Sequence, residues 1–203
     1  MSTKSRIRIG PRSAGTLMTP EEFDAITDYD DRYSYELIHG VLVVNPIPRE
    51  AESDPNEELG YWLRDYKDHH PQGSALDKTL SERYIQLEDS RRKADRVIWA
   101  GLGRRPDPSV DVPTIVAEFV SKSKRDRHRD YEEKRREYLA LGVVEYWVID
   151  RFDRKLTVFT NRVEGLSERV FAESETYRTP LLPGFELPLQ RLLAVADEWN
   201  ERR

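Results

Sequence analysis

A mixed α/β fold is expected, and three features of the 203-residue chain predict it. Two near-continuous apolar runs, IVAEFV (115–120) and VVEYWVI (143–149), read as strands buried on both faces, and a helical segment separates them. The segment YSYELIHGVLVV (33–44) reads as a hairpin turning at His39-Gly40. A segment with Leu59, Trp62, Leu63 and Tyr66 on one face and another at about 188–200 read as helices.

The elements follow in order. Thr19-Pro20-Glu21-Glu22 opens a helix, with Thr19 as N-cap, Pro20 in the first turn and Glu22 closing a capping box; it is expected to reach about Asp28. After the hairpin, Asp54-Pro55 opens a helix whose Leu59, Trp62, Leu63 and Tyr66 share one face. Strands are expected at 83–88 and 94–100, and a Gly- and Pro-rich loop at 101–112. The strand at 115–120 leads into a helix over about 127–141, with Gly142 as its C-cap. Strands follow at 143–149, 155–160 and 167–173, and an amphipathic helix closes at about 188–200. Residues 1–15 read as a flexible polar tail and 16–203 as a single domain.

Composition excludes several classes. There is no cysteine, so no disulfide framework, no thiolate chemistry and no sulfur-based zinc site. No run is long and apolar enough to span a membrane, and no h-region marks a signal peptide, so a cytoplasmic protein is expected. The chain is 35% charged with a mean hydropathy of −0.76, yet its apolar residues are periodic, as in a globular protein. A net charge of −5 argues against a globally basic nucleic-acid binder but leaves room for a local basic cleft. No Walker, GxGxxG or GxSxG pattern occurs.

The chemistry lies in acids placed within apolar strands. Glu36 sits in SYELIHG, Asp95 in KADRVIW and Glu118 in IVAEFV. A carboxylate in such a setting needs a positive partner, either a metal ion or a lysine. Neighbouring carboxylates favour a cation between them, and hard oxygen donors suit Mg²⁺ or Mn²⁺. The plainer alternative is an arginine pairing with each acid at a strand end. Asp130, Lys134 and Tyr138, spaced by four, share a helix face, which ordinarily means a salt bridge beside a packed tyrosine. Lys122, Lys124, Arg125 and Arg127 follow Glu118, and Arg91, Arg92, Lys93 and Arg96 flank Asp95. These basic stretches suit either a polyanion cleft or a solvated charged face.

Taken together, YELIHGVLV, RKADRVIWAG and PTIVAEFVSKS followed by Asp130, Lys134, Tyr138 and GVVEYWVID resemble the Uma-type restriction endonuclease family of the PD-(D/E)XK superfamily. The resemblance covers about residues 17–190. It implies a restriction-endonuclease-like mixed β-sheet flanked by helices. It also implies that Asp95 and Glu118 bind a divalent metal, with Glu36 contributing from the hairpin. The implied activity is metal-dependent hydrolysis of nucleic-acid phosphodiesters, with DNA the expected substrate and a homodimer a plausible assembly. Three positions depart from the family pattern. Ala94 stands where a proline usually precedes the metal-binding Asp, and Val120 stands where E-x-K would place lysine. PIPREAESDPNEEL lacks a histidine that many relatives carry. Lys134 is the favoured replacement for the lysine and Lys122 the alternative. The competing expectation is a nuclease-fold protein without cleavage activity that binds nucleic acid or a protein partner.

Overall fold

The computed structural model describes residues 8–122, 127–162 and 165–199, with the side chain of Arg162 not described. Two compact units form, one from residues 1–48 with 84–93 and the other from 49–83 with 94–203.

The first unit is built on the expected hairpin, β1 (Tyr33–Ile38) and β2 (Val41–Pro46), paired antiparallel. Its turn has positive φ at His39 (48°) and Gly40 (74°), the backbone twist that suits a two-residue hairpin loop. Leu37 of β1 also pairs with Arg91. Helix α1 (Pro20–Asp24) starts as expected: the Glu22 N–H donates to Thr19 Oγ1 and the Thr19 N–H to Glu22 Oε2. It ends four residues earlier than about Asp28, because the chain turns away to set Tyr29 against Ile9 in an isolated bridge. Ile9, Phe23, Tyr35, Leu37 and Leu42 form the core of this unit. Residues 8–15, within the segment read as a tail, are packed here: Ile9 is buried and its N–H donates to the Asp28 carbonyl. Arg91, one of the basic residues flanking Asp95, is buried and pairs with Asp24 at 2.8 Å.

The second unit carries the mixed sheet. β4 (Arg91–Ala100), β5 (Ile115–Phe119), β6 (Glu145–Asp150), β7 (Lys155–Arg162) and β8 (Gly165–Ala172) lie in that order, and β3 (Leu76–Gln86) also pairs with β4. β5 and β6 run parallel; the β4–β5, β6–β7 and β7–β8 pairs are antiparallel. β3 begins seven residues before its expected start, with Leu76 and Thr79 buried in its first half. A short antiparallel pair, β9 (Thr176–Tyr177) and β10 (Leu187–Pro188), stands apart from this sheet.

Period-two alternation divides the sheet. Ile98, Ile115, Ala117, Trp147, Ile149, Leu156, Val158 and Phe171 pack against α2 (Glu50–His69) and α4 (Leu189–Asp197), through Leu59, Leu63, Leu189, Leu192 and Leu193. The intervening residues, Val116, Glu118, Tyr146 and Phe159 among them, face the helical segment after β5. Helix α2 starts at Glu50 rather than at Asp54-Pro55, since the Arg49 N–H is capped by the Glu52 carboxylate at 3.1 Å. Pro55 is then accommodated inside the helix and removes one hydrogen bond. Among the described residues, no helix is long and apolar enough to cross a membrane.

Arg96 was expected in a basic stretch beside Asp95. Instead it projects to the α2 face and is buried. Its Nε donates to Asn56 Oδ1 (2.7 Å), Nη1 to Thr79 Oγ1 (3.2 Å) and Nη2 to the Asn56 carbonyl (2.7 Å). Burial lowers its pKa to about 10. Gly60 makes this possible: a Cβ there would lie 2.5 Å from the guanidinium. Gly60→Ala should therefore displace a hydrogen-bonded arginine and cost about 1–3 kcal/mol despite alanine's better helix propensity. Chemical denaturation should show a lower midpoint. A variant as stable as the parent would mean that Arg96 relaxes freely.

Candidate active site

Asp95 and Glu118 come from adjacent antiparallel strands. The register pairing Arg96 with Ala117 sets Asp95 opposite Glu118 one step further along, so both carboxylates leave the same face of the sheet. Glu118 is 2% exposed and Lys134, reaching back from the helix, 3%. Lys134 Nζ lies 2.9 Å from Glu118 Oε2 and 3.7 Å from Asp130 Oδ1. Tyr138 donates its hydroxyl to the other Glu118 oxygen at 3.2 Å. Asp95 is half-buried, and its Oδ2 accepts the Phe119 N–H at 2.7 Å.

The helical segment that supplies these partners is not a plain α-helix. Residues Arg129–Glu133 form a π turn that runs into α3 (Lys134–Leu141), and the Lys134 N–H bonds the Arg129 carbonyl five residues back. Gly142 closes α3 in the left-handed conformation, at φ 108°, as its position predicted. The Asp130, Lys134 and Tyr138 face is thus a real one, and it meets the Glu118 strand. Asp130, which the sequence placed only in an ordinary salt bridge, is a third buried acid beside Lys134.

Glu118 and Asp130 share the Lys134 ammonium, Arg129 Nε lies 3.6 Å from Asp130 Oδ1, and Asp95 stands opposite Glu118. The proton affinities respond accordingly. Burial pushes the Asp95 pKa up to about 6, with Asp130 and Glu82 adding to the rise and Lys134 and the Phe119 N–H opposing it. Burial also holds Glu118 well above the ordinary carboxylate range; Lys134 pulls it down, while Asp95 and Asp130 push it further up.

Two hard oxygen donors fit a divalent ion in chemistry. Mg²⁺ is commonly held by one or two carboxylates and completed by water and substrate phosphate. Each carboxylate oxygen has two acceptor directions, so the bonds from Lys134 and Tyr138 leave Glu118 capacity for an ion. Among the described residues, no group of three or more acid or histidine side chains is already gathered as a metal cage.

The other expected site residues fall elsewhere. Glu36 belongs to the first unit, where it is buried; its Oε1 accepts the Lys93 N–H (3.0 Å) and its Oε2 the Asn45 amide (3.2 Å). Lys122 is exposed. Lys124 and Arg125 lie outside the described residues. Arg127 is held internally, by Asp150 at 2.7 Å and Asp153 at 2.5 Å. With Arg91 and Arg96 also committed to internal partners, the charge read from the sequence as a basic face is partly structural.

The Uma2 family model, described as "Putative restriction endonuclease", matches residues 20–190. The chain belongs to the Uma2 family. That span takes in Asp95, Glu118, Asp130 and Lys134 alike. A crystal structure from Anabaena variabilis, titled as that of a putative nuclease, superposes on the chain with a TM-score of 0.68 at 15% identity. It covers 88% of this chain and 99% of its own, and shows that the Uma2 chain shares the fold of that protein. No curated protein matches the chain.

The Asp95 shift has a consequence for stability. The folded chain holds a proton on Asp95 more tightly than the unfolded chain, whose pKa is near 3.8. Between about pH 4 and 6 the folded state therefore binds more protons, and stability falls as pH rises through that window. Asp30 and Asp111, held at about 2, act in the opposite sense but only at lower pH. Thermal melting of the metal-free protein should show Asp95→Asn gaining stability relative to the parent as pH rises from 4 to 6.5. Parallel pH profiles for the two would contradict the assignment.

Proposed function

We propose that the chain is a metal-dependent nuclease that hydrolyses phosphodiester bonds, with DNA as substrate. The observation that carries this reading is the juxtaposition of Asp95, Glu118 and Lys134: two strand-borne acids on one sheet face and a buried lysine 2.9 Å from the second. Lys134 supplies from the helix the ammonium that Val120, buried in the E-x-K position, does not.

In this reading Asp95 and Glu118 hold Mg²⁺ or Mn²⁺. The ion, when bound, supplies charge neutralisation at the phosphate and a more acidic bound water. The remaining work belongs to the chain. Lys134, its ammonium 2.9 Å from Glu118, orients the attacking water or a phosphate oxygen in this reading. Asp130, 3.7 Å from the Lys134 ammonium, helps direct it at Glu118. Tyr138 fixes the second Glu118 oxygen, so the carboxylate does not rotate away as substrate binds. Lys122, exposed just beyond β5, is suited to meet backbone phosphate.

A second reading is favoured by one observation. The Glu118 carboxylate is already occupied by Lys134 and Tyr138, an arrangement that also suits a nuclease fold retained for binding without cleavage.

The test is cleavage of supercoiled plasmid and of linear DNA with Mg²⁺ or Mn²⁺. The parent should cut, Glu118→Gln should abolish cutting, and Lys134→Met should lower the rate about 100-fold or more. A parent protein that binds DNA but leaves a varied panel intact with either ion selects the second reading.

Removing the metal gives an independent check. Carboxylates bind a divalent ion only after losing their protons, so Mn²⁺ affinity should weaken as pH falls from 7.5 to 5.5. Isothermal titration should show this loss, and pH-independent affinity would place the ion elsewhere.

A further inference from the structure

Lys134 reaches Glu118 only because the helix that carries it departs from α geometry. In a straight α-helix, residues seven apart lie within about 20° of each other around the axis. Arg127 and Lys134 would then point the same way. One extra residue in a turn changes this phase by about 100°. The π turn at Arg129–Glu133 supplies it. Arg127 can therefore reach Asp150 at the end of β6 while Lys134 turns to Glu118 on β5.

A π turn is ordinarily less favourable than α-helix, so something must hold it. Here the Lys134 N–H goes to the Arg129 carbonyl rather than to Asp130, its α-helical acceptor. The Asp130 carbonyl instead accepts the Tyr146 hydroxyl at 2.8 Å. Tyr146 is fully buried on β6, and its ring meets that of Tyr138 edge-on at 5.4 Å. The two tyrosines act from one packed pair: Tyr138 holds the Glu118 carboxylate, and Tyr146 holds the backbone of the turn that aims Lys134.

We propose that Tyr146 is a positioning residue of the site, locking the π turn through the Asp130 carbonyl and so setting the direction of Lys134. The phenol is suited to this. Burial and the nearby acids, Glu118 first, hold it well above the ordinary tyrosine range, so it remains a donor. It touches no reacting group, which separates its role from that of Lys134.

The functional arm of this inference rests on the nuclease reading, but the structural arm does not. Tyr146→Phe keeps the ring and removes only the hydroxyl, so the core packing is retained. In a double-mutant cycle with Glu118→Gln, followed by thermal melting, the combined loss of Tm should differ from the sum of the single losses by about 2 °C or more. In DNA cleavage with Mn²⁺, Tyr146→Phe should lower kcat about 10- to 100-fold with KM little changed. Additive Tm shifts, or a kcat equal to that of the parent, would overturn the proposal and leave Tyr146 as a core residue alone. If the parent cuts no DNA, the nuclease reading fails while the cycle still decides whether Tyr146 acts on the Glu118–Lys134 pair.

Discussion

The ion pair between Glu118 and Lys134 is the constraint around which the second unit is organised. Both side chains are almost wholly buried, so each has lost its water. Their mutual attraction offsets that loss only if the geometry is close and the remaining donors and acceptors find partners. Removing one partner from such a pair typically costs about 3–5 kcal/mol, because a charge is then left alone in an apolar setting. The β5 register, the π turn, Tyr138 and Asp130 all serve to satisfy it. It is nevertheless not an isolated pair. Asp95 and Asp130 bring further carboxylates to it, and Arg129 meets Asp130 at 3.6 Å.

The facing carboxylates separate this cluster from other buried charges in the same unit. Glu145 is equally buried, but three neutral donors meet it: Trp147 Nε1, the Tyr177 hydroxyl and the Thr179 hydroxyl. Asp150 is met by Arg127, by the Tyr131 hydroxyl and by two backbone N–H groups of the following turn. Arg96 is met by Asn56 and Thr79. These groups fasten strands and helices to one another. The Asp95–Glu118 pair, with both proton affinities raised, is the kind of arrangement that proteins keep for binding or catalysis.

Much of this was legible in the sequence because it depends on local periodicity. The hairpin turn at His39-Gly40, the Thr19 cap, the Gly142 stop and the two apolar strands around α3 are short-range signals. The placement of Asp95, Glu118 and Lys134 followed from their spacing within those elements and from the family pattern. What could not be read depends on tertiary partners. Arg91 and Arg96 look like surface charge in sequence, yet Asp24 and the Asn56–Gly60 face of α2 bury them. The start of α2 differs because Asp54-Pro55 imitates a helix opening, whereas the Glu52 cap on Arg49 acts five residues earlier. The π turn leaves no periodic trace over five residues, and Tyr146 resembles any other aromatic in a buried strand until its hydroxyl is located.

The central claim is that Asp95 and Glu118 form a cation site whose lysine comes from α3. Anomalous diffraction from crystals soaked in Mn²⁺ tests it most directly. The account predicts one manganese peak bound by oxygens of both carboxylates at about 2.0–2.6 Å, with Lys134 still directed at Glu118. Crystals of the parent that show no manganese between these two acids, or show it bound only elsewhere, would contradict it.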